Sequence, residues 1–193
     1  LPDVHYLAAA WHAQAQARAL RGTLLLAEEG LNLSLAGEAA ALRGFVALLR
    51  QDTRLTDLAV KESFSATMPF GRLRVKVKRE IIRMDCPTIR PAEGRAPAVD
   101  AATLARWLRH GRCDDGRPVK LLDTRNAFEV DAGAFDGALD WRLSRFGEFP
   151  AALEAHRAEF DGATVVSYCT GGIRCEKAAL LMQAAGIAHV RQL

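Results

Sequence analysis

The stretch over residues 169–178, CTGGIRCEKA, constrains this chain more than any other. Residues 164–168 before it are mostly β-branched or aromatic and predict a buried strand. Residues 178–185 after it are strong helix formers that stop at Gly186, which predicts a helix. The pattern therefore places Cys169 at the end of a strand, in a glycine-containing turn that leads into a helix.

A loop of this kind favours an anion at its centre. Its backbone N–H groups can point inward, and the start of the following helix adds partial positive charge. The candidate anion is the thiolate or persulfide of Cys169, which we predict to be the reactive sulfur. Gly171 and Gly172 are expected to supply unusual backbone angles. Arg174 is expected to steady the anion or to pair with an acidic neighbour.

Cys175 stands near the first turn of the predicted helix, where the pKa of its thiol should also fall. It could resolve an oxidised or persulfidated Cys169, or it could simply pack; the sequence leaves both readings open. Thr170 and Ile173 complete the predicted active-site loop.

The chain as a whole is typical of a globular protein. It has 193 residues, half of them hydrophobic, and no apolar run long enough for a membrane span or a signal peptide. Four cysteines do not make a disulfide framework at this length, which favours a reducing, cytoplasmic compartment. No histidine lies near Cys169 and Cys175 in sequence, so no metal site is predicted.

The first half alternates helix and strand patterns. A helix is predicted over 6–20, strands over 23–27 and 31–36, a helix over 38–50 and a strand over 71–82. This order is typical of a ferredoxin-type α+β sandwich whose opening strand precedes residue 1. A segment with prolines and glycine, residues 86–97, is the predicted linker. We therefore expect domains over 1–90 and 97–193.

One strand of the first half carries four cations at alternating positions: Arg72, Arg74, Lys76 and Lys78. Side chains alternate faces along a strand, so these cations share one face, here called the basic strand face. The net charge of the chain is only +3, but its basic surplus lies in residues 1–95. The face could bind RNA phosphates, or it could be a solvated edge strand; both remain open.

The second half predicts alternating α and β elements. A helix over 101–110 follows its cap Asp100, a strand covers 119–122, and a helix covers 150–160. Strands separated by helices predict a parallel sheet with its site at the carboxyl ends of the strands. The expected class is α/β overall.

Cys169 at a strand end, the loop closed by Arg174, and residues 123–125 at an earlier strand end resemble the rhodanese domain. The full string over 169–178 is similar to the signature of bacterial tRNA uridine hydroxylases, which combine an acylphosphatase-like domain with a rhodanese domain. Residues 22–37, 76–81, 123–126 and 146–150 match that family in order. The resemblance covers nearly the whole chain, although residue 193 falls before the expected end of a rhodanese fold.

The resemblance implies oxygen-dependent conversion of the tRNA wobble uridine to 5-hydroxyuridine. Cys169 would be the essential cysteine, tRNA the partner and molecular oxygen the co-substrate, with no other cofactor evident. Asp123 and Arg125 would form a buried ion pair that braces the loop. Arg145 would contact RNA or be solvated.

Two other functions stay open. A sulfurtransferase would carry a persulfide on Cys169, taken from a small sulfane donor such as thiosulfate. It would explain the loop equally well but not the basic strand face. A non-enzymatic RNA-binding protein is disfavoured because the cysteine is present.

Overall fold

The computed structural model describes residues 1–193, apart from the side chain of Glu93. The chain forms two compact units, Leu1–Ile81 and Ile82–Leu193. The predicted linker over 86–97 lies within the second unit, where Ile89 and Ala96 are buried in its core together with Met84. The domain limits of 1–90 and 97–193 stay a prediction.

The first unit is a three-stranded mixed sheet with two helices. The sheet order is β2-β1-β3, with β1 antiparallel to β2 and parallel to β3. Its elements are α1 (Val4–Ala17), β1 (Arg21–Ala27), β2 (Gly30–Ala36), α2 (Ala39–Leu49) and β3 (Leu73–Val77).

Helix α1 forms because its apolar residues recur at helical spacing. Leu7, Trp11 and Ala15 are buried on one face and pack in the first core with the inward side chains of β1 and α2. Leu24 and Leu26, two residues apart on β1, are fully buried. The predicted elements of this half are confirmed in type, with ends that differ by a few residues.

Strand β3 is shorter than the predicted 71–82. Its last backbone bond to β1 runs from Lys78 N to Leu26 O, 2.8 Å. Strand β1 ends at Ala27, where the chain turns towards β2, so the parallel pairing of β1 with β3 does not continue. Ile81 N donates instead to Glu29 Oε1, 2.5 Å.

The second unit contains the predicted parallel sheet. Its order is β5-β4-β6-β7, with every pairing parallel. Its elements are α3 (Ala101–His110), β4 (Val119–Asp123), α4 (Ala127–Asp131), β5 (Leu139–Asp140), α5 (Phe149–His156), β6 (Thr164–Tyr168), α6 (Ile173–Ala184) and β7 (Val190–Gln192).

Helix α3 agrees with its predicted limits because both ends carry caps. Asp100 Oδ1 accepts from Thr103 N at 2.9 Å, and Gly111 adopts a left-handed φ of 67° just after the helix. The predicted helix over 150–160 is instead α5 followed by a short 3-10 helix, Arg157–Phe160.

The fold class predicted from the sequence is confirmed: a mixed α/β first unit and a parallel α/β second unit. Strand β6 is buried at all five positions, as the central strands of a parallel sheet require. Among the described residues, we find no helix with both the length and the apolar character to cross a membrane.

Candidate active site

The backbone of residues 169–172 turns the chain from β6 into α6. Gly172 has a φ of 83°, in the left-handed region, which confirms the expected need for glycine there. The same expectation is wrong for Gly171. Its φ lies outside that region and an added Cβ would meet open space.

This turn surrounds the sulfur of Cys169, which is half-buried, with donors. Gly172 N donates to Cys169 Sγ at 3.0 Å. The neighbouring thiol of Cys175 and the backbone of residues 171, 174 and 175 also stabilise negative charge on this sulfur. The Cys175 thiol contributes most to lowering the pKa of Cys169 to about 5; burial opposes the shift and the backbone donors add to it. Cys169 is therefore a thiolate at neutral pH.

Cys175 has the opposite character, and the expectation that its pKa falls is wrong. Its side chain is 1% exposed, and its Sγ lies 3.6 Å from Thr124 Oγ1. The pKa of its thiol is raised, first because it donates its proton to Cys169, then because of burial and the negative charge of that sulfur. Cys175 thus holds its proton and stabilises the neighbouring thiolate.

Arg174 pairs with a carboxylate that the sequence analysis did not identify, Glu129. Arg174 Nη1 lies 2.5 Å from Glu129 Oε2, and Nη2 lies 2.8 Å from Oε1. Thr170 Oγ1 donates to Glu129 Oε1 at 2.9 Å. The bonds from Arg174, above all, lower the pKa of Glu129 to about 2 against the opposing effect of burial.

Both predicted roles of Arg174 are present in this arrangement. Burial tends to lower the pKa of its guanidinium, but the charges of Glu129 and of Cys169 outweigh burial and raise it. The sequence does carry a signal that marks Glu129 as a helix-capping residue, although not as the partner of Arg174. Asn126 precedes α4 and Glu129 follows three residues later, the spacing of a capping box, and Asn126 N donates to Glu129 Oε2 at 3.1 Å.

Asp123 and Arg125 form the expected buried ion pair at the end of β4. Arg125 Nη2 lies 2.6 Å from Asp123 Oδ2, and the Asp123 side chain is fully buried. Burial raises the pKa of Asp123, but the hydrogen bonds from Arg125 and Tyr168 outweigh it and the net pKa is lowered. Arg125 Nη2 also donates to Gly133 O at 2.7 Å, which braces the loop after α4.

A cavity of about 460 Å³ lies beside Cys169. Its volume falls within the roughly 300–1,000 Å³ of pockets that hold small ligands. Tyr168 forms part of its wall, and burial above all raises the pKa of that phenol to about 12, so it stays protonated. The cavity is lined by Arg125, by residues 133–135 and by residues 168–170.

The predicted RNA-binding residues lie outside this cavity lining. Arg145 is exposed and pairs with Glu148, Nε to Oε1 3.4 Å. In the first unit the four cations of the basic strand face are all exposed, whereas Leu73, Val75 and Val77 between them are half-buried against the core. The predicted alternation of faces is confirmed. The alternation is compatible both with an RNA partner and with a solvated edge strand.

The arrangement can perform thiolate chemistry. A half-buried sulfur carries negative charge at neutral pH, next to an open cavity, and can act as a nucleophile or carry a sulfane sulfur. All four cysteines are free. Within the described part of the chain, no group of three or more His, Cys, Asp or Glu side chains could hold a metal ion.

The fold and the loop define a rhodanese-type domain with a reactive cysteine, joined to an acylphosphatase-like unit. Residues 104–193 match the rhodanese-like domain family, and residues 1–81 match the UPF0176 acylphosphatase like domain. Relatives that are 61–65% identical over 93–100% of this chain show that it belongs to the tRNA uridine(34) hydroxylase family.

That family is shown by relatives that align along the whole chain. The tRNA uridine(34) hydroxylase of Delftia acidovorans is 63% identical over 193 residues, which is 100% of this chain and 73% of the relative. The Bordetella avium protein of the same name is 61% identical over 100% of this chain and 80% of its own length. That of Variovorax paradoxus is 65% identical over 93% of this chain and 68% of its own.

Proposed function

We propose that this chain hydroxylates uridine 34 of tRNA to 5-hydroxyuridine, with Cys169 as the essential reactive group. The observation that carries the proposal is the alignment of the whole chain with tRNA uridine(34) hydroxylases at 61–63% identity. The depressed pKa of Cys169 and the cavity beside it support the assignment of the reacting group.

Molecular oxygen is the proposed co-substrate. Insertion of one oxygen atom into the base leaves the other as water, so the reaction consumes a reductant that supplies two electrons. We propose two thiol groups for that reductant, whose oxidation to one disulfide supplies the two electrons and the two protons of the water. For substrate binding, the cavity combines a thiolate, aromatic walls and a guanidinium.

The first unit is proposed to bind the phosphates of the tRNA. The basic strand face presents four exposed cations, and the apolar residues between them pack against the core. A row of like charges repels itself, and a polyanion relieves that repulsion. We propose the cytoplasm as the compartment, which four free cysteines support.

The test is mass spectrometry of nucleosides from tRNA incubated with full-length protein and dithiothreitol, under air and under nitrogen. We expect uridine to gain one oxygen under air only, and Cys169→Ala to abolish the gain. Unchanged tRNA under air would contradict the proposal.

Sulfur transfer is the second candidate, favoured by the donors around Cys169 Sγ. Those donors would stabilise the terminal sulfur of a persulfide as they stabilise a thiolate. A small sulfane donor such as thiosulfate would then be the partner. Steady thiosulfate:cyanide sulfur transfer with unmodified tRNA would favour this function over hydroxylation.

A further inference from the structure

Phe135 is an aromatic residue in the wall of the cavity beside Cys169, and it is 46% exposed. Single exposed aromatic side chains are common on protein surfaces, so exposure alone assigns no role. The surroundings of Phe135 distinguish it from an ordinary surface residue.

The loop that carries Phe135 is held at several points. Gly133 O accepts from Arg125 Nη2 at 2.7 Å, and Phe135 N donates to Tyr168 Oη at 3.4 Å. Ala138 N donates to Phe135 O at 3.1 Å and closes the turn. The backbone of Phe135 is thus fixed next to the active-site loop before any ligand arrives.

The ring of Phe135 packs in part against one aromatic neighbour, Tyr168. The two rings form a T-shaped pair, with centroids 4.9 Å apart and planes at 88°. In such a pair the edge of one ring meets one face of the other, so this contact leaves at least one face of Phe135 uncovered, in agreement with its 46% exposure. Arg125 Cζ lies 5.5 Å from the centroid of Tyr168 and adds positive charge to the same wall.

An accessible aromatic face beside a thiolate suits a planar, unsaturated ligand. Proteins bind unstacked RNA bases by stacking them on aromatic side chains. A small sulfane anion such as thiosulfate has no planar face to offer. We propose that Phe135 is the stacking platform that positions the uracil of the substrate against Cys169; this inference rests on the proposed function.

The experiment measures protection of Cys169 by RNA. Full-length protein is treated with iodoacetamide, and alkylation of the Cys169 peptide is followed by mass spectrometry. The probes are an anticodon stem-loop with uridine at position 34 and the same RNA with an abasic site there. For the wild-type protein we expect protection by the uridine RNA and much weaker protection by the abasic RNA.

Phe135→Ala is compared with Phe128→Ala, a matched control on α4 whose side chain is 70% exposed and does not line the cavity. Phe135→Ala should need about tenfold to a hundredfold more uridine RNA for half protection, as expected for loss of a stacked base. Phe135→Tyr should restore protection. The pH midpoint of Cys169 alkylation without RNA should be unchanged in Phe135→Ala, which shows that the donors around the thiolate are intact.

Full protection in Phe135→Ala, or an equal loss in Phe128→Ala, would overturn the inference. Hydroxylation of the same RNA, measured in parallel, separates it from the proposed function. If the wild-type protein does not hydroxylate the RNA but its protection depends on Phe135, only the proposed function is refuted. The base-binding role of Phe135 is then supported. If Phe135→Ala hydroxylates the RNA with the same kcat/KM as the wild-type protein, only the inference about Phe135 is refuted.

Discussion

Glu129 and Arg174 form a two-point ion pair between α4 and the first turn of α6, with oxygen–nitrogen distances of 2.5 and 2.8 Å. The side chains are 20% and 10% exposed. The pair fixes the guanidinium at the edge of the Cys169 loop and also holds Thr170, so one carboxylate of an earlier helix positions two residues of the loop.

We expect Glu129→Gln to lower the free energy of unfolding by roughly 2 kcal/mol at pH 7, because a buried guanidinium loses its charged acceptor. The folded pKa of Glu129, about 2, lies below the ordinary 4.5. The pair therefore stabilises fully above about pH 4.5 and loses its effect as the pH falls towards 2.

Urea unfolding of wild type and Glu129→Gln at several pH values between 7 and 3 checks this. The difference between the two proteins should shrink as the pH falls below 4.5. Glu154→Gln, at an exposed position, serves as the control and should stay within about 0.5 kcal/mol of wild type. A difference that does not depend on pH would contradict the role of the charge.

The thiolate of Cys169 should make its alkylation unusually fast in mild acid. Because the pKa is about 5, the rate with iodoacetamide should rise through pH 5 and level off before neutrality. Cys175→Ala removes the largest stabilising donor and should move the midpoint towards the ordinary range near 8.5. Cys175→Ser keeps a hydroxyl donor and should move it less.

Peptide mass spectrometry of the Cys169 peptide across pH gives these midpoints, with the half-buried Cys86 in the same digest as a reference for the reagent. Equal midpoints for wild type and both Cys175 variants would show that the backbone donors alone hold the thiolate.

The central strand, the loop and the last helix of the second unit could be predicted from sequence because each is local. A strand of five buried residues, a glycine at φ 83° and a run of helix formers are adjacent in the chain. Helix α3 was predicted to the residue because Asp100 and Gly111 mark its two ends.

Three short elements, α4, β5 and β7, have five, two and three residues and are too short to show a period, so the sequence did not predict them. The ion pair of Glu129 and Arg174 joins residues 45 positions apart, which no local pattern reveals. The helix start alone predicts a lowered pKa for Cys175, whereas the thiolate beside it, which lies six residues away in sequence, raises that pKa.

Removal of the four cations of the basic strand face by substitution with Gln should weaken tRNA binding and reduce its salt dependence. If each cation contacts one phosphate of single-stranded RNA, the slope of log K against log salt should fall by about 3. Hydroxylation should fall with binding, while thiosulfate:cyanide sulfur transfer should survive, because that reaction needs only the second unit.

Filter binding at several salt concentrations measures the slope. Arg74→Gln with Lys76→Gln should reduce it by about 1.4. Arg109→Gln with Lys120→Gln removes the same charge from exposed positions of the second unit and should leave the slope within error. An equal change in both double variants would indicate a general effect of net charge, and no change in either would identify the face as a solvated edge.

Gly171 and Gly172 offer a matched pair for testing the geometry of the loop. Gly172→Ala places a Cβ at a φ of 83° and should cost about 1–2 kcal/mol of stability. Because Gly172 N donates to Cys169 Sγ at 3.0 Å, a backbone that moves to relieve the strain weakens that bond and should raise the pKa of the thiol.

Gly171→Ala adds its Cβ in open space at an ordinary φ and keeps its N–H, so both stability and thiol pKa should stay close to wild type. Urea unfolding and the pH profile of alkylation, measured on both variants, separate the two residues. Similar behaviour of both would mean that the left-handed turn does not hold the thiolate.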